Sequence, residues 1–313
     1  MLNNRYTLHA QQSHCGWDNS LTPALRAKPG DVVTFEVSDS SGGRIKPDTT
    51  PDTLEPPDLS RINPTTGPVW IDGAQPGDAL KVTLLQIAAS GFGWTMTSPR
   101  IGLLADQFNE RKLHIWSYDQ TATQPAAFGD FARVPLKPFA GTIGLAPSAP
   151  GLHSVLPPRR VGGNMDLRDI GVGAELYLPV EVEGALFSIG DTHAAQGDGE
   201  VCGTAIESPM HVTLRFDIIK NAKLAFPRLT LLTPTCRHLD GKGYEVTTGI
   251  GPDLMQCARD AVSGMIDLLT AQQGIKPVEA YMLCSVCADL RISEIVDRPN
   301  WVVSLYMPRI VFE

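Results

Sequence analysis

Tyr177-Leu178-Pro179-Val180-Glu181-Val182-Glu183-Gly184-Ala185-Leu186-Phe187-Ser188-Ile189 reads as an apolar strand, a glycine turn and a second apolar strand. The chain continues with Gly190-Asp191-Thr192-His193-Ala194-Ala195-Gln196-Gly197-Asp198-Gly199-Glu200-Val201-Cys202-Gly203-Thr204-Ala205-Ile206-Glu207, four carboxylates and one imidazole among glycines. That composition belongs to a site held at a sheet edge, not to a core. Residues two apart on a strand face the same way, so Asp191 and His193 can share one metal ion. Carboxylate oxygen and imidazole nitrogen both suit zinc, and Glu200 or Glu207 would bring in a harder ion such as calcium. Asp198, between two glycines, fits a tight turn in which it caps local backbone amides.

The chain around this stretch is mostly β in pattern. Asp31 to Val37, Ala79 to Ile87 and His211 to Ile218 are short, β-branched, partly alternating runs, and the first two follow Pro-Gly-Asp turns. Such runs predict β-sandwich or jelly-roll-like halves. Residues 46–68, rich in Pro, Asp and Thr, and 139–158, rich in Gly, Pro and Ala, read as long loops. After Asp217 the pattern changes. Leu254, Ala258, Ala261, Val262, Met265, Ile266, Leu268 and Leu269 recur at helical spacing between Pro252 and Gly274. A second helix is expected from Pro277 to Leu290, and Trp301 to Met307 closes the chain as a strand. The expectation is therefore a mainly β protein in two parts. Residues 1–215 carry the acidic and histidine site, and residues 216–313 form an α+β part with two helices.

Composition narrows the function classes. The 313 residues carry a net charge of −8 and no basic run, which argues against a nucleic-acid partner. No apolar run suits a secretory signal or a membrane span, so a cytoplasmic protein without a membrane partner is expected. Six scattered cysteines (Cys15, Cys202, Cys236, Cys257, Cys284 and Cys287) point to reduced thiols, with Cys284 and Cys287 structural within the second helix. A phosphate loop, a G-x-S-x-G elbow and a dinucleotide fingerprint are all missing from the sequence.

Three upstream segments add to the candidate site. His14, in His14-Cys15-Gly16-Trp17-Asp18, reads equally as a ligand or as a satisfied structural histidine. Asp39 is a site acid or a turn cap. In Gly162-Gly163-Asn164-Met165-Asp166 the glycine pair lets backbone approach a ligand, with Asn164 and Asp166 as substrate-binding groups; the alternative is a loop whose polar side chains bond their own backbone.

These residues together resemble the acetamidase/formamidase family of small-amide hydrolases. The resemblance rests on Gly190 to Glu200 with Glu207, on Gly163-Asn164-Met165-Asp166, on Thr66-Gly67-Pro68-Val69 with Gly73 to Asp78, and on Asp39-Ser40-Ser41-Gly42-Gly43. It implies a mostly β homo-oligomer, a dimer or larger, that hydrolyses formamide, acetamide or related short amides with zinc or calcium at its site. Carried over, the positions are Asp191, His193, Glu200, Glu207, Asp166, His14 and Asp39. The resulting expectation places a metal on His193, Asp191 and an upstream ligand, His14 or Asp39, with Glu200 or Glu207 moving the proton. Two alternatives stand beside it. One is thiol catalysis by Cys202, and the other is a metal-stabilised protein that binds a small amide and turns nothing over.

Overall fold

The protein is described from a computed structural model, which covers residues 4–54, 58, 60–99, 101–232, 239–296 and 298–313; Cys236 lies outside these. Two six-stranded sheets face each other. The first runs in the order Arg5–Leu8, Val32–Val37, Met210–Ile219, Ala79–Ala89, Ala174–Pro179 and Arg228–Leu231. The second runs Gly162–Asn164, Phe139–Leu145, Phe187–His193, Thr65–Ile71 and Ser13–His14, with Leu25–Ala27 paired in parallel to Thr65–Ile71.

Alternation in the sequence becomes alternation of burial. Val33, Phe35 and Val37 are buried while Val32, Thr34 and Glu36 are half-buried. Between the sheets, Phe187 of the second packs edge-on against Phe35 and Phe216 of the first, with ring centroids 5.6 and 4.9 Å apart. The mainly β sandwich expected from the sequence is the observed architecture.

The strand, turn and strand around Gly184 cross from one sheet to the other. Ala174–Pro179 belongs to the first sheet and Phe187–His193 to the second. A side chain at Gly184, where φ is +72°, would meet Trp70 Cδ2 at 2.2 Å, so the crossing point has no room for a Cβ.

One loop expectation is corrected. Phe139–Leu145, inside the stretch read as a loop, is a strand buried at every position. Its glycines suggested a turn, but they serve close packing. A Cβ on Gly144 would lie 2.5 Å from Gly163 N, and one on Gly141 would lie 2.6 Å from Asp166 Oδ1. Thr65 to Pro68, in the other expected loop, likewise begin the strand Thr65–Ile71.

A second core forms around the carboxy-terminal helices. Leu254–Gln273 is capped by Asp253, whose side chain accepts from Gln256 N, and ends at Gly274 in left-handed conformation. It buries Cys257, Ala261, Val262, Met265 and Leu269 in one cluster with Val303, Leu305 and Met307 of the strand Trp301–Pro308. The second helix, Pro277–Cys287, ends before the expected Leu290, because Ala288 is extended and Asp289–Glu294 begins a strand. That strand and Tyr244–Gly251 flank Trp301–Pro308 and had no clear pattern in the sequence, since only Gly249 of the latter is buried. Phe187 and Ile189 lie in the sandwich core, whereas Ala194, Ala195 and Val201 lie in the second core. Asp191 and His193 therefore sit where the chain passes from one core to the other.

Phe187 is fully buried at the centre of the sandwich. Replacing it with Ala is expected to cost about 3–5 kcal/mol in urea unfolding. A loss below ~1 kcal/mol would contradict its central role.

Candidate active site

The site is assembled around the end of the strand Phe187–His193. His193 is fully buried, and its Nδ1 lies 2.9 Å from Gln196 Oε1. Gln196 Nε2 in turn donates to the Asp166 carbonyl at 2.8 Å. That second bond fixes the Gln196 amide with its oxygen toward the ring, so Nδ1 carries a proton. Nε2 faces two carboxylates, Asp191 Oδ1 at 3.3 Å and Glu207 Oε2 at 3.4 Å. Phe139 packs edge-on against the ring at 5.1 Å and closes it from above.

Each carboxylate is held from behind. Asp191 Oδ2 accepts from Asn63 Nδ2 at 2.9 Å and Thr142 Oγ1 at 3.2 Å. Glu207 accepts from Ser40 Oγ at 2.6 Å and from Ala205 N at 3.1 Å. Asp166 Oδ2 accepts from Asn164 Nδ2 at 3.0 Å, while the buried Asp166 Oδ1 has no hydrogen-bond partner among the described residues. Glu200 is half-buried and close enough to Asp166 that the two carboxyl groups disfavour each other's charge. Asp166, Asp191 and Glu200 all hold left-handed backbone, with φ of 48°, 52° and 42°. Strain of this kind costs about 1–3 kcal/mol per residue and collects at sites that the surrounding structure over-determines.

The electrostatics follow from crowding. Burial and the Asp191 charge raise the Asp166 carboxyl to about 6, and burial with Glu207 beside it raises Asp191 to about 6. Burial and Asp166 push Glu200 well above its ordinary value. For His193, burial alone would lower the pKa, but Glu207 and Asp191 outweigh it and hold the imidazole well above 6.5. Glu207 goes the other way, because His193 and Ser40 overcome its burial. Four acids thus share one imidazolium, and the remaining negative charge calls for protons or a cation.

The donor chemistry fits a cation. Asp166, Asp191 and His193 form one set, and His193, Glu200 and Glu207 a second, each with ligand atoms within 4.8 Å of one another. Asp166, a member of the first set, also carries the unpartnered Oδ1.

Five of the residues singled out in the sequence are brought together here: Asp166, Asp191, His193, Glu200 and Glu207. His14 is not among them. Its Nδ1 donates to the Gly16 carbonyl at 2.7 Å and its Nε2 meets Ser188 Oγ at 2.8 Å, while burial lowers its pKa. Both ring nitrogens are occupied in a neutral, structural histidine. Asp39 takes its turn-capping reading, accepting from Ser41 N at 2.8 Å and Trp94 Nε1 at 3.2 Å. It reaches the cluster through the neighbouring Ser40 and through Trp94, both of which bond Glu207. Asn164 accepts from Asn63 at 3.0 Å and from Thr142 Oγ1 and donates one amide N–H to Asp166, so it positions Asp166. Asp198 pairs with Arg168 Nε at 3.1 Å instead of only capping its own turn. Cys202 is fully buried, its thiol raised by that burial and lying 3.6 Å from the Thr204 carbonyl. No imidazole contacts it among the described residues, and a thiol so placed is a poor nucleophile.

Asn63, Thr142, Ser40 and Gln196 escaped sequence reasoning. Asn63 and Thr142 lie 128 and 49 residues from the Asp191 they orient, and no local pattern marks them.

The profile of the Acetamidase/Formamidase family matches residues 2–156 and 151–313 of this chain. A formamidase from Methylophilus methylotrophus is 26% identical over 96% of this chain and 90% of its own length. An acetamidase from Mycolicibacterium smegmatis is 28% identical over 67% of each chain. Among solved structures, a gamma lactamase from Delftia acidovorans superposes with a TM-score of 0.87 at 25% identity, covering 96% of this chain and 90% of the other.

Gly141 tests how closely the site is packed. A Cβ there would lie 2.6 Å from Asp166 Oδ1, 2.8 Å from the Asp191 carbonyl and 2.9 Å from His193 Cε1. Gly141→Ala is expected to lose about 1–3 kcal/mol. Gly264→Ala, on the long helix with 3.6 Å of clearance to Thr247, is expected to gain about 0.5–1 kcal/mol. Chemical denaturation of the two variants reads the contrast, and equal effects would refute it.

Proposed function

This chain belongs to the acetamidase/formamidase family, and from that membership we propose that it hydrolyses short carboxamides to carboxylate and ammonia with a divalent metal ion at the buried cluster. The observation that carries the reading is the excess of acid, with the buried Asp191 and Glu207 and the half-buried Asp166 and Glu200 gathered on the single imidazole of His193. His193, Asp191 and Asp166 would hold the ion, Asp166 replacing the upstream ligand expected from the sequence because its Oδ1 has no other partner among the described residues. One imidazole with carboxylates favours zinc, whereas calcium would draw on the oxygens alone. When bound, such an ion polarises the amide carbonyl and acidifies water enough for attack near neutral pH.

The chain's own groups do the rest. Glu200 is half-buried with a raised pKa; a cation at the cluster would favour its carboxylate form, which takes the proton from the attacking water. It returns that proton to the amide nitrogen as the carbon–nitrogen bond breaks and ammonia leaves; the water oxygen stays with the acyl group as the second carboxylate oxygen. Gln196 keeps His193 oriented through Nδ1, and Glu207, held by Ser40 and Ala205, stands beside Nε2. The buried, raised thiol of Cys202 is left as packing. A cyclic γ-lactam is a second reading of the substrate, favoured by the likeness to the gamma lactamase at a TM-score of 0.87. Opening of 2-pyrrolidinone tests it.

Three measurements check the main reading. Ammonia release from formamide and acetamide should vanish on chelation and return with added zinc. Full turnover by metal-free protein, verified by elemental analysis, would refute the metal's role. Glu200→Gln should lower kcat by roughly 10²–10⁴-fold while metal stays bound. Turnover equal to the parent would remove Glu200 from proton transfer. Cys202→Ala should keep its turnover, and loss of activity in a folded, metal-loaded protein would revive the thiol route.

A further inference from the structure

A cavity of about 450 Å³ is lined in part by Ser40 and Trp94, the two residues that bond Glu207 of the cluster. Its apolar wall is Ile45, Leu54, Ile62, Trp94 and Met96. Three chain segments join this wall to the buried acids. Ser40 lines the cavity and donates to Glu207 at 2.6 Å. Trp94 lines it too, and its backbone exchanges two hydrogen bonds of 2.9 Å with that of Glu207. Ile62 lines it beside Asn63, whose side chain donates to Asp191 at 2.9 Å.

The cavity is far larger than the smallest amides. Acetamide fills about 100 Å³ if it displaces three or four waters of ~30 Å³ each. Bound against this wall, it would leave Ile45, Leu54 and Met96 in contact with water. We propose that this cavity receives the apolar body of the substrate, so that the preferred amides carry an acyl chain longer than acetyl. Each added methylene leaves water for the Ile45, Leu54 and Met96 surface, and the gain is realised as the amide carbon reaches the acids behind Ser40. Arg44 and Lys46 also line the cavity, both exposed, and neither forms an ion pair among the described residues. These two cations disfavour an amide with a positively charged tail. The inference rests on the hydrolase reading above and adds to it the class of substrate.

The test is kcat/KM of the metal-loaded full chain on formamide, acetamide, butyramide, hexanamide and 6-aminohexanamide. The expected result is a rise of roughly threefold per methylene from acetamide to hexanamide. The cationic 6-aminohexanamide should fall about tenfold or more below hexanamide. A flat or falling series beyond acetamide, with acetamide itself turned over, overturns the cavity assignment and leaves the hydrolase reading intact. No product from any of the five amides overturns the hydrolase reading and this inference with it. As a second measurement, Leu54→Trp should cut the hexanamide-to-acetamide ratio of kcat/KM by about tenfold, because the indole fills the wall. An unchanged ratio in the folded variant also overturns the assignment.

Discussion

The imidazole of His193, buried between Asp191 and Glu207 with Asp166 and Glu200 close by, sets the terms for the rest of the molecule. Removing several carboxylates from water is tolerable only if positive charge, protons or donated hydrogen bonds answer each one. His193 answers one, and Ser40, Asn63, Thr142 and the Ala205 amide share others. What remains is expressed as carboxyl groups held above their ordinary range and as one unpartnered oxygen on Asp166. That unanswered charge is what gives a cation its place in the proposed chemistry.

Such an arrangement survives because it is anchored on both sides. Upstream, Phe187 and Ile189 fix the strand in the sandwich core. Downstream, the segment from Gly197 to Thr204 is seated on the carboxy-terminal part. Gly197 N donates to Ser285 O at 2.9 Å, Cys202 N donates to Ser285 Oγ at 3.1 Å, and Tyr281 OH bonds the Val201 carbonyl. Arg168 ties Asp289 and Asp198 together in a largely buried pair of ion contacts. A Cβ on Gly197 would fall 1.9 Å from the Ala288 carbonyl, so the two parts meet backbone to backbone. Glu200 is positioned from the second core and His193 from the first, and packing of the two cores against each other sets the distance between them.

Much of this was legible along the chain. Strand alternation, the helix bounded by Pro252 and Gly274, and the polar stretch from Gly190 to Glu207 each follow from local rules of spacing and turn chemistry. The failures have a common form. Gly141 and Gly144 looked like loop residues because a glycine's local meaning is freedom, yet here each marks a place where another chain segment comes too near for a side chain. His14 and Asn164 looked available because their partners, Ser188 and Thr142 with Asn63, are distant in sequence or carry no signature.

By itself the sequence determined the alternating strands and the long helix, the β class and the chemistry of the donors, because periodicity and side-chain type are local properties. Only the tertiary structure decided which donors meet. It turned His14 and Asp39 toward backbone and hydroxyl partners, and it brought Asp166 and Glu200 onto His193. It also placed an apolar cavity against Ser40. Those outcomes depend on sheet order and on the junction of two cores, which join residues far apart in the chain through close packing that no single segment encodes.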